Sequence, residues 1–383
     1  MPKLTFGETR QCGFIPHHNC ERGSNFCPWV GVNMFEDGHP AVMKCQYAVS
    51  MLSFARPEIH ASDAMQFLSC RPRWDFSSPL RHNLSPKRPN KHLWLGRVIH
   101  YAMATHYGLD AEGQRHGLLR AYKAEVLRSC AEIKRQVGEV PDDIKEYAVL
   151  GYGMLQHYLV WSRTHDNFEV LMPEVPLRVH LPEYDICGKA DGIFRDPFKD
   201  LWILENKTSS RIPSQVVVKN SWQAKLYYWM ANRDPEIQKL GGVKGVLFNY
   251  LYKAKPTLPK VLKNGNLERR KNMRITPEYY LHVVKKHGQE PADYLDHVAR
   301  LRQDIFFRRY YITYTEAQMV NFERDLVALA KDMLGDPALY PGDTMQVCAM
   351  CGYKEPCSMR QNSEPWEELA AMDYEPNTYY FLM

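Results

Sequence analysis

The stretch from Gly188 to Lys207, GKADGIFRDPFKDLWILENK, constrains the fold of this chain most tightly. Its pattern predicts a β-hairpin. The first arm carries Asp191 followed by Gly-Ile-Phe, and turn formers gather at Asp196, Pro197 and Asp200. The second arm, Leu201 to Leu204, is apolar and runs directly into Glu205-Asn206-Lys207. Residues two apart on a strand project from the same face, so Glu205 and Lys207 point together, and the partner arm can bring Asp191 beside them. Two carboxylates and one ammonium at the end of a buried strand suit a hard divalent cation such as magnesium or manganese. Such an ion polarises a phosphoryl group and acidifies a bound water, and a lysine beside it can place that water and offset developing charge. The competing reading is a surface hairpin with an ordinary ion pair.

Other residues extend the pattern. Glu174 precedes the hairpin in MPEVPLRV, on an expected neighbouring strand. Gln223 and Tyr227 are spaced i, i+4 in the helical SWQAKLYYWMAN, and Gly96 and His100 have the same spacing in LWLGRVIHYAMATHY. In this order the elements Gly-x-x-x-His, strand Glu, Gly-x-x-Asp, Glu-x-Lys and Gln-x-x-x-Tyr resemble the RecB-like branch of the PD-(D/E)XK nuclease superfamily. The resemblance implies an α/β fold, with a central mixed sheet flanked by helices and the site at strand ends. It implies metal-dependent cleavage of DNA, by an exonuclease of recombination, repair, phage replication or CRISPR-type processing. It assigns His100, Asp191, Glu205 and the Asn206 carbonyl to metal binding. Asp191, Glu205, Lys207 and Glu174 become catalytic, with Gln223 and Tyr227 aligning the catalytic end or DNA.

The bulk numbers leave room for this. With 383 residues, 45% apolar and 24% charged, the chain has the composition of a globular protein able to bury a large core. No apolar run reaches membrane-span length and the N-terminus lacks an apolar signal core, so no membrane partner and a cytoplasmic location are expected. No Gly-x-x-x-x-Gly-Lys-Ser/Thr loop is present, which excludes a P-loop motor within this chain.

Ten cysteines in such a chain favour metal ligation over disulfides. Cys12, Cys20, Cys27 and Cys45 lie with several histidines in residues 1–55, a module that could bind zinc or simply hold reduced thiols. Near the C-terminus stand Cys348, Cys351 and Cys357. Cys70, in Cys-Arg-Pro-Arg-Trp, resembles the lone cysteine that precedes the core of AddB and CRISPR-associated iron–sulfur nucleases. That resemblance implies a 4Fe-4S cluster on Cys70, Cys348, Cys351 and Cys357, clasping the two ends of the core. Zinc on the same thiolates is the alternative.

Elsewhere, long helices are expected over 114–137 and 142–164, and strands over 241–252 and 304–314. Residues 276–303 read as helical, and Ser62 with Asp63 as the cap of a short helix. Thr315 to Gln318 begins an amphipathic helix with a capping box. Between them, Lys253, Lys255, Lys260, Lys263, Arg269, Arg270, Lys271 and Arg274 face a single acid, Glu268. This loop or ribbon reads either as a solvated surface or as an element that tracks DNA phosphates, on a single- or double-stranded substrate. The expected layout is a Cys/His module over 1–55, a nuclease core with its cysteine cluster over 56–360, and an acidic, aromatic tail over 361–383. Partner proteins of recombination, replication or CRISPR systems are conceivable. The rival reading is a non-catalytic nucleic-acid-binding protein that keeps the fold; the retained Asp191, Glu205 and Lys207 speak against it.

Overall fold

The computed structural model describes residues 56–108, 111–342 and 347–377, without the side chains of 111–116, and four two-residue strands nearer the N-terminus. Those strands form two antiparallel pairs, Arg10–Gln11 with Asn19–Cys20 and Phe26–Cys27 with Val32–Asn33. Cys12 and Cys45 fall outside the described residues, and for Cys20 and Cys27 only the backbone is described. The expected zinc module therefore has no side-chain description. The chain divides into two compact units. The smaller joins residues 1–59 to 180–186. Within it the Asp185 N–H donates to the Pro57 carbonyl at 2.8 Å, and the Asp185 carboxylate meets Arg56 at 3.1 Å and His180 at 3.0 Å.

The larger unit holds the helices α1 (Ala61–Ser69), α2 (Arg71–Ser77), α3 (Lys91–Gly108), α4 (Ala111–Val137) and α5 (Asp142–His165). The long strands β1 (Glu169–His180) and β2 (Asp185–Arg195), apart from His180 and Asp185–Ile186 at their adjoining ends, and β3 (Leu201–Ser209) follow. Then come α6 (Trp222–Ala231), β4 (Gly245–Tyr252), α7 (Pro277–Lys286), β5 (Phe307–Ile312), α8 (Glu316–Leu334), α9 (Lys354–Gln361) and α10 (Trp366–Asp373).

The expected hairpin forms. β2 and β3 pair antiparallel with Gly192 opposite Leu204, and Asp196 makes the turn. Its Oδ1 accepts the Phe198 and Asp200 N–H groups, while its Oδ2 accepts Trp202 Nε1 at 3.0 Å. β4 lies parallel to β3, β5 antiparallel to β4, and β1 pairs with β2, giving a mixed sheet. The parallel step needs a crossover, which α6 supplies. Gly245 starts β4 where a Cβ would stand 2.1 Å from the Ile312 carbonyl oxygen, so only glycine allows β5 this close.

One sheet face buries Phe194, Trp202, Leu204, Leu247 and Leu251 against α3, α4 and α5. Alternation then leaves Glu205 and Lys207 on the opposite face, towards α6. There Trp222 of α6 packs on Phe322 of α8, with ring centroids 5.3 Å apart. The capping box appears at Thr315 and Gln318. No helix among the described residues is long and apolar enough to cross a membrane.

Three local expectations differ. Ser62 and Asp63 lie inside the first turn of α1, whose N-cap is His60. The helical stretch expected over 276–303 is interrupted after Lys286, because Gly288 takes φ +67° and Pro291 follows, and resumes in short turns at Pro291–Tyr294 and Leu295–Val298. The strand expected from Gly241 begins at Gly245, because Gly241 and Gly242 adopt φ +106° and +74°.

Between β4 and β5 the chain forms a lobe with its own small core of Leu267, Ile275, Tyr280, Val284 and Tyr294. Elsewhere in the unit, Phe76, Tyr353, Ala370 and Tyr374 pack the first helices against the C-terminal segment. Strand Leu84–Pro86 pairs with Tyr374–Pro376 there, and Arg360 reaches Asp75 at 2.7 Å.

Candidate active site

The hairpin, α3 and α6 assemble one polar site. Glu205 is almost wholly buried, and Lys207 Nζ donates to its Oε1. Glu205 Oε2 is buried with no hydrogen-bond partner among the described residues. Burial above all, helped by Asp191, raises the Glu205 carboxyl to about 7 against the pull of Lys207. Burial would also lower Lys207, but Glu205 and then Asp191 outweigh it and hold the ammonium above its ordinary value.

Asp191 is fixed from two sides. His100 Nδ1 lies 3.0 Å from its Oδ1, and the Asn206 N–H donates to its Oδ2. Burial alone would raise this carboxyl; His100, Lys207 and the Asn206 N–H together bring it below the usual range. Burial likewise disfavours a charged His100, and Asp191 more than compensates, so the imidazole stays protonated to higher pH than usual. His100 thus pairs directly with Asp191. Among the described residues no group of three or more His, Cys, Asp and Glu side chains is already drawn together as a metal cage.

Gln223 and Tyr227 join the same group. Lys207 Nζ donates to Gln223 Oε1 at 2.9 Å, and Gln223 Nε2 donates to Tyr227 OH at 3.2 Å. The i, i+4 spacing on α6 is what lets one residue hold the next. Glu174 instead makes its ion pair with Lys189, two residues before Asp191, from a backbone at φ +51°. A non-glycine residue there marks local strain in β1.

The Asn206 side chain turns away from the carboxylates into a buried polar row. Asn206, Asn249 and Arg309 are register partners across β3, β4 and β5. Asn249 Nδ2 donates to Asn206 Oδ1 and to Tyr158 OH, each at 2.9 Å, and Asn249 Oδ1 accepts Arg309 Nε at 3.2 Å. Arg309 ends the row in an ion pair with Asp166. The sequence reading missed this row. Its one signal was Asn249, the lone amide inside the apolar GVLFNYLY.

Cys70 is buried, and Cys348, Cys351 and Cys357 are partly buried; all four are free thiols. Burial first, and then the neighbouring sulfurs of Cys70 and Cys348, push the Cys351 thiol up, against the Tyr353 N–H and Arg73. Burial also raises Cys357, Arg360 lowers it, and the other three sulfurs raise it further. Cys351 and Cys357 are thus within electrostatic reach of Cys70 and Cys348, but among the described residues the four thiols do not meet as a group that could hold a metal ion.

In the basic segment, Lys255, Lys260, Lys263, Arg269, Arg270, Lys271 and Arg274 are exposed. Lys253 is half-buried beside the His92 carbonyl at 3.5 Å, and burial lowers its ammonium.

Comparisons with known proteins bear on the family of the chain. A solved structure described as "Crystal structure of SSO0001" is similar at 13% identity, over 80% of this chain and 89% of that one; its TM-score of 0.30 carries no argument. No curated protein matches the chain. The profile of the PD-(D/E)XK nuclease superfamily matches residues 59–358, a span that contains the hairpin, α3, α6 and the sheet. By that match over most of its length, the chain belongs to the PD-(D/E)XK nuclease superfamily.

Proposed function

We propose that this chain is a magnesium- or manganese-dependent deoxyribonuclease, an exonuclease that hydrolyses DNA in recombination, repair, replication or CRISPR-type processing. One observation carries the reading: Glu205 is buried with one oxygen on Lys207 and the other unpartnered, beside Asp191. Leaving a buried carboxylate oxygen without a partner is costly, and a hard cation is the partner such an atom fits. Asp191 and Glu205 would hold it, with His100 and the Asn206 carbonyl as further donors. When bound, the ion supplies polarisation of the phosphoryl oxygen and an acidified water.

The protein's own groups do the rest. Lys207 places its ammonium against the charge that grows on the scissile phosphate. Gln223 and Tyr227 keep that ammonium in position. His100 and the Asn206 N–H hold Asp191 in one orientation. Glu174, through Lys189, settles the charge of the strand leading to Asp191. The exposed basic residues from Lys255 to Arg274 would contact phosphates. By the resemblance, Cys70, Cys348, Cys351 and Cys357 would hold a 4Fe-4S cluster, whose usual donor set is four cysteine thiolates.

The test is a time course with end-labelled single- and double-stranded DNA in Mg²⁺ or Mn²⁺. Metal-dependent release of nucleotides, abolished by Glu205→Gln and Asp191→Asn, is expected. Undiminished cleavage by Glu205→Gln would overturn the assignment. DNA binding with no cleavage under any metal would leave the non-catalytic reading.

A further inference from the structure

The lobe between β4 and β5 is rooted beside the site. β3 and β4 run parallel and end together, with Lys207 opposite Tyr250 and Ser209 opposite Tyr252. The chain leaves the sheet after Tyr252, and the Lys253 N–H donates back to the Ser209 carbonyl at 2.8 Å. The lobe thus starts two residues past Lys207, about 7 Å along a strand.

Its leading element is a narrow ribbon. Val261 bridges to Leu267, and Gly265 turns the tip at φ +81°. The lobe body braces it: Tyr294 OH accepts the Leu267 N–H at 3.0 Å, Tyr280 OH donates to the Glu268 carbonyl at 2.9 Å, and Gln289 Nε2 donates to the Gly265 carbonyl at 2.7 Å. Arg269 stacks on the Tyr294 ring at 4.2 Å.

This rigid ribbon presents Leu258, Val261 and Leu262 to solvent, 55%, 55% and 45% exposed. Three aliphatics on one braced, solvated element offer an apolar surface to a partner. The surrounding charge identifies it. Residues 253–274 hold eight of the chain's 49 Lys and Arg but one of its 44 Asp and Glu. Without them the chain would hold 41 basic and 43 acidic residues, a net of −2. Protein interfaces are depleted in lysine at their centre, whereas a polyanion is held by just this surround.

We infer that the ribbon is a wedge for DNA ends: Val261 and Leu262 enter under the terminal base pair while the flanking lysines and arginines hold the backbones. The inference rests on the nuclease reading for its purpose, which is to fray a duplex beside the cleavage site. Apolar side chains are known to unstack base steps in this way, at a cost of a few kcal/mol per step that backbone contacts repay.

The experiment uses the full chain in EDTA and a duplex carrying 2-aminopurine in its terminal base pair. Wild-type protein should raise the fluorescence. Val261→Ser combined with Leu262→Ser should abolish the rise while weakening binding, read by anisotropy, no more than about threefold, because the phosphate contacts remain. Both positions are exposed, so the thermal midpoint serves as a folding control. Binding without a rise, an equal rise in the variant, or no binding of DNA would overturn the wedge. End-unstacking without cleavage in Mg²⁺ would retain the wedge and remove the nuclease reading; cleavage without unstacking would do the reverse.

Discussion

A Cβ on Gly188 would stand 2.8 Å from Cε1 of Tyr227, so the tyrosine ring fills the volume that a side chain there would need. Two separate motifs of the sequence, Gly-x-x-Asp and Gln-x-x-x-Tyr, are therefore one packing unit. Tyr227 meets Gln223, Gln223 meets Lys207, and Lys207 meets Glu205. Gly188→Ala should displace the ring and pass the shift along this chain to the ammonium. A loss in kcat on the order of 10²-fold is expected, with KM nearly unchanged, since small misplacements are costly at a reacting centre. Tyr227→Phe keeps the ring and loses only the hydroxyl, so its loss should be smaller. Steady-state kinetics on both variants, with equal thermal midpoints, checks the order of effects.

Replacing Lys260, Lys263, Arg270 and Lys271 with glutamine should weaken DNA binding alike for all sequences. The slope of log K against log salt should fall by about one unit at most for each phosphate that the variant no longer neutralises. Lys253 is left out because it is half-buried on the His92 carbonyl. Titrations at several salt concentrations decide this, and an unchanged slope would mark the segment as a solvated surface.

Asp75 ties the two ends of the larger unit together. Its buried carboxylate meets Arg81 and Arg360, each at 2.7 Å, and His82 at 3.4 Å. Burial alone would raise this carboxyl, but His82, Arg81 and Arg360 together hold it well below its ordinary value. Its folded value is thus depressed, so its contribution is full above the ordinary carboxylate range and is lost as pH falls through that range and below. Asp75→Asn should cost about 3 kcal/mol at pH 7 and far less at pH 2, because one partner of a buried pair is removed. Denaturant unfolding at the two pH values measures both terms.

Asp63 has the opposite sign. Burial pushes its carboxyl up to about 7, against the Ser78 hydroxyl, which donates to its Oδ2, and the nearby Trp74 indole. The unfolded chain then releases this proton before the folded chain does, so stability falls as pH rises from about 4 to about 7. Asp63→Asn keeps an acceptor for the Ser78 hydroxyl and carries no charge. It should gain up to about 4 kcal/mol at pH 8 and nothing near pH 4. Unfolding curves for the variant and the wild type across that range should converge at the acid end.

The hairpin was legible because its signals are local: turn formers at Asp196 to Asp200, apolar alternation, and two carboxylates within reach of a lysine. The α6 pair, Gln223 and Tyr227, was legible through helical spacing. What stayed hidden depends on contacts distant in sequence. Lys189 gives no sign that it pairs with Glu174 across the β1–β2 connection. Asn249 and Arg309 become a row with Asn206 only once three strands are in register. The joining of the ends through Asp75 and Arg360 spans 285 positions, and no period or motif encodes it. The end of α7 differs from its expected place because Gly288 and Pro291 act through backbone geometry, which outweighs the apolar pattern around them.

The last prediction concerns Cys70, Cys348, Cys351 and Cys357. The resemblance makes a cluster on these residues the clasp of the core, so losing Cys70 should release iron and destabilise the fold. The contacts around them alter the second half of that expectation. The ends are also joined by the Asp75–Arg360 pair, by strand pairing of Leu84–Pro86 with Tyr374–Pro376, and by Phe76 stacked on Tyr353 at 5.8 Å. Gly342 passes so close that a Cβ on it would lie 2.1 Å from the Ser69 carbonyl oxygen and 3.3 Å from the Cys70 Cβ, which pins a third segment at the same place. A cluster would therefore add to a clasp that side chains already make. Protein purified without oxygen should be brown and hold about four iron atoms per chain. Cys70→Ser should lose the iron, yet remain folded, with a smaller fall in thermal midpoint than Asp75→Asn gives. Iron analysis, visible absorption and thermal unfolding of the two variants together decide the matter. A colourless wild-type protein with one zinc ion at these residues would reject the cluster, and an unfolded Cys70→Ser would show that the metal, and not the ion pair, holds the ends together.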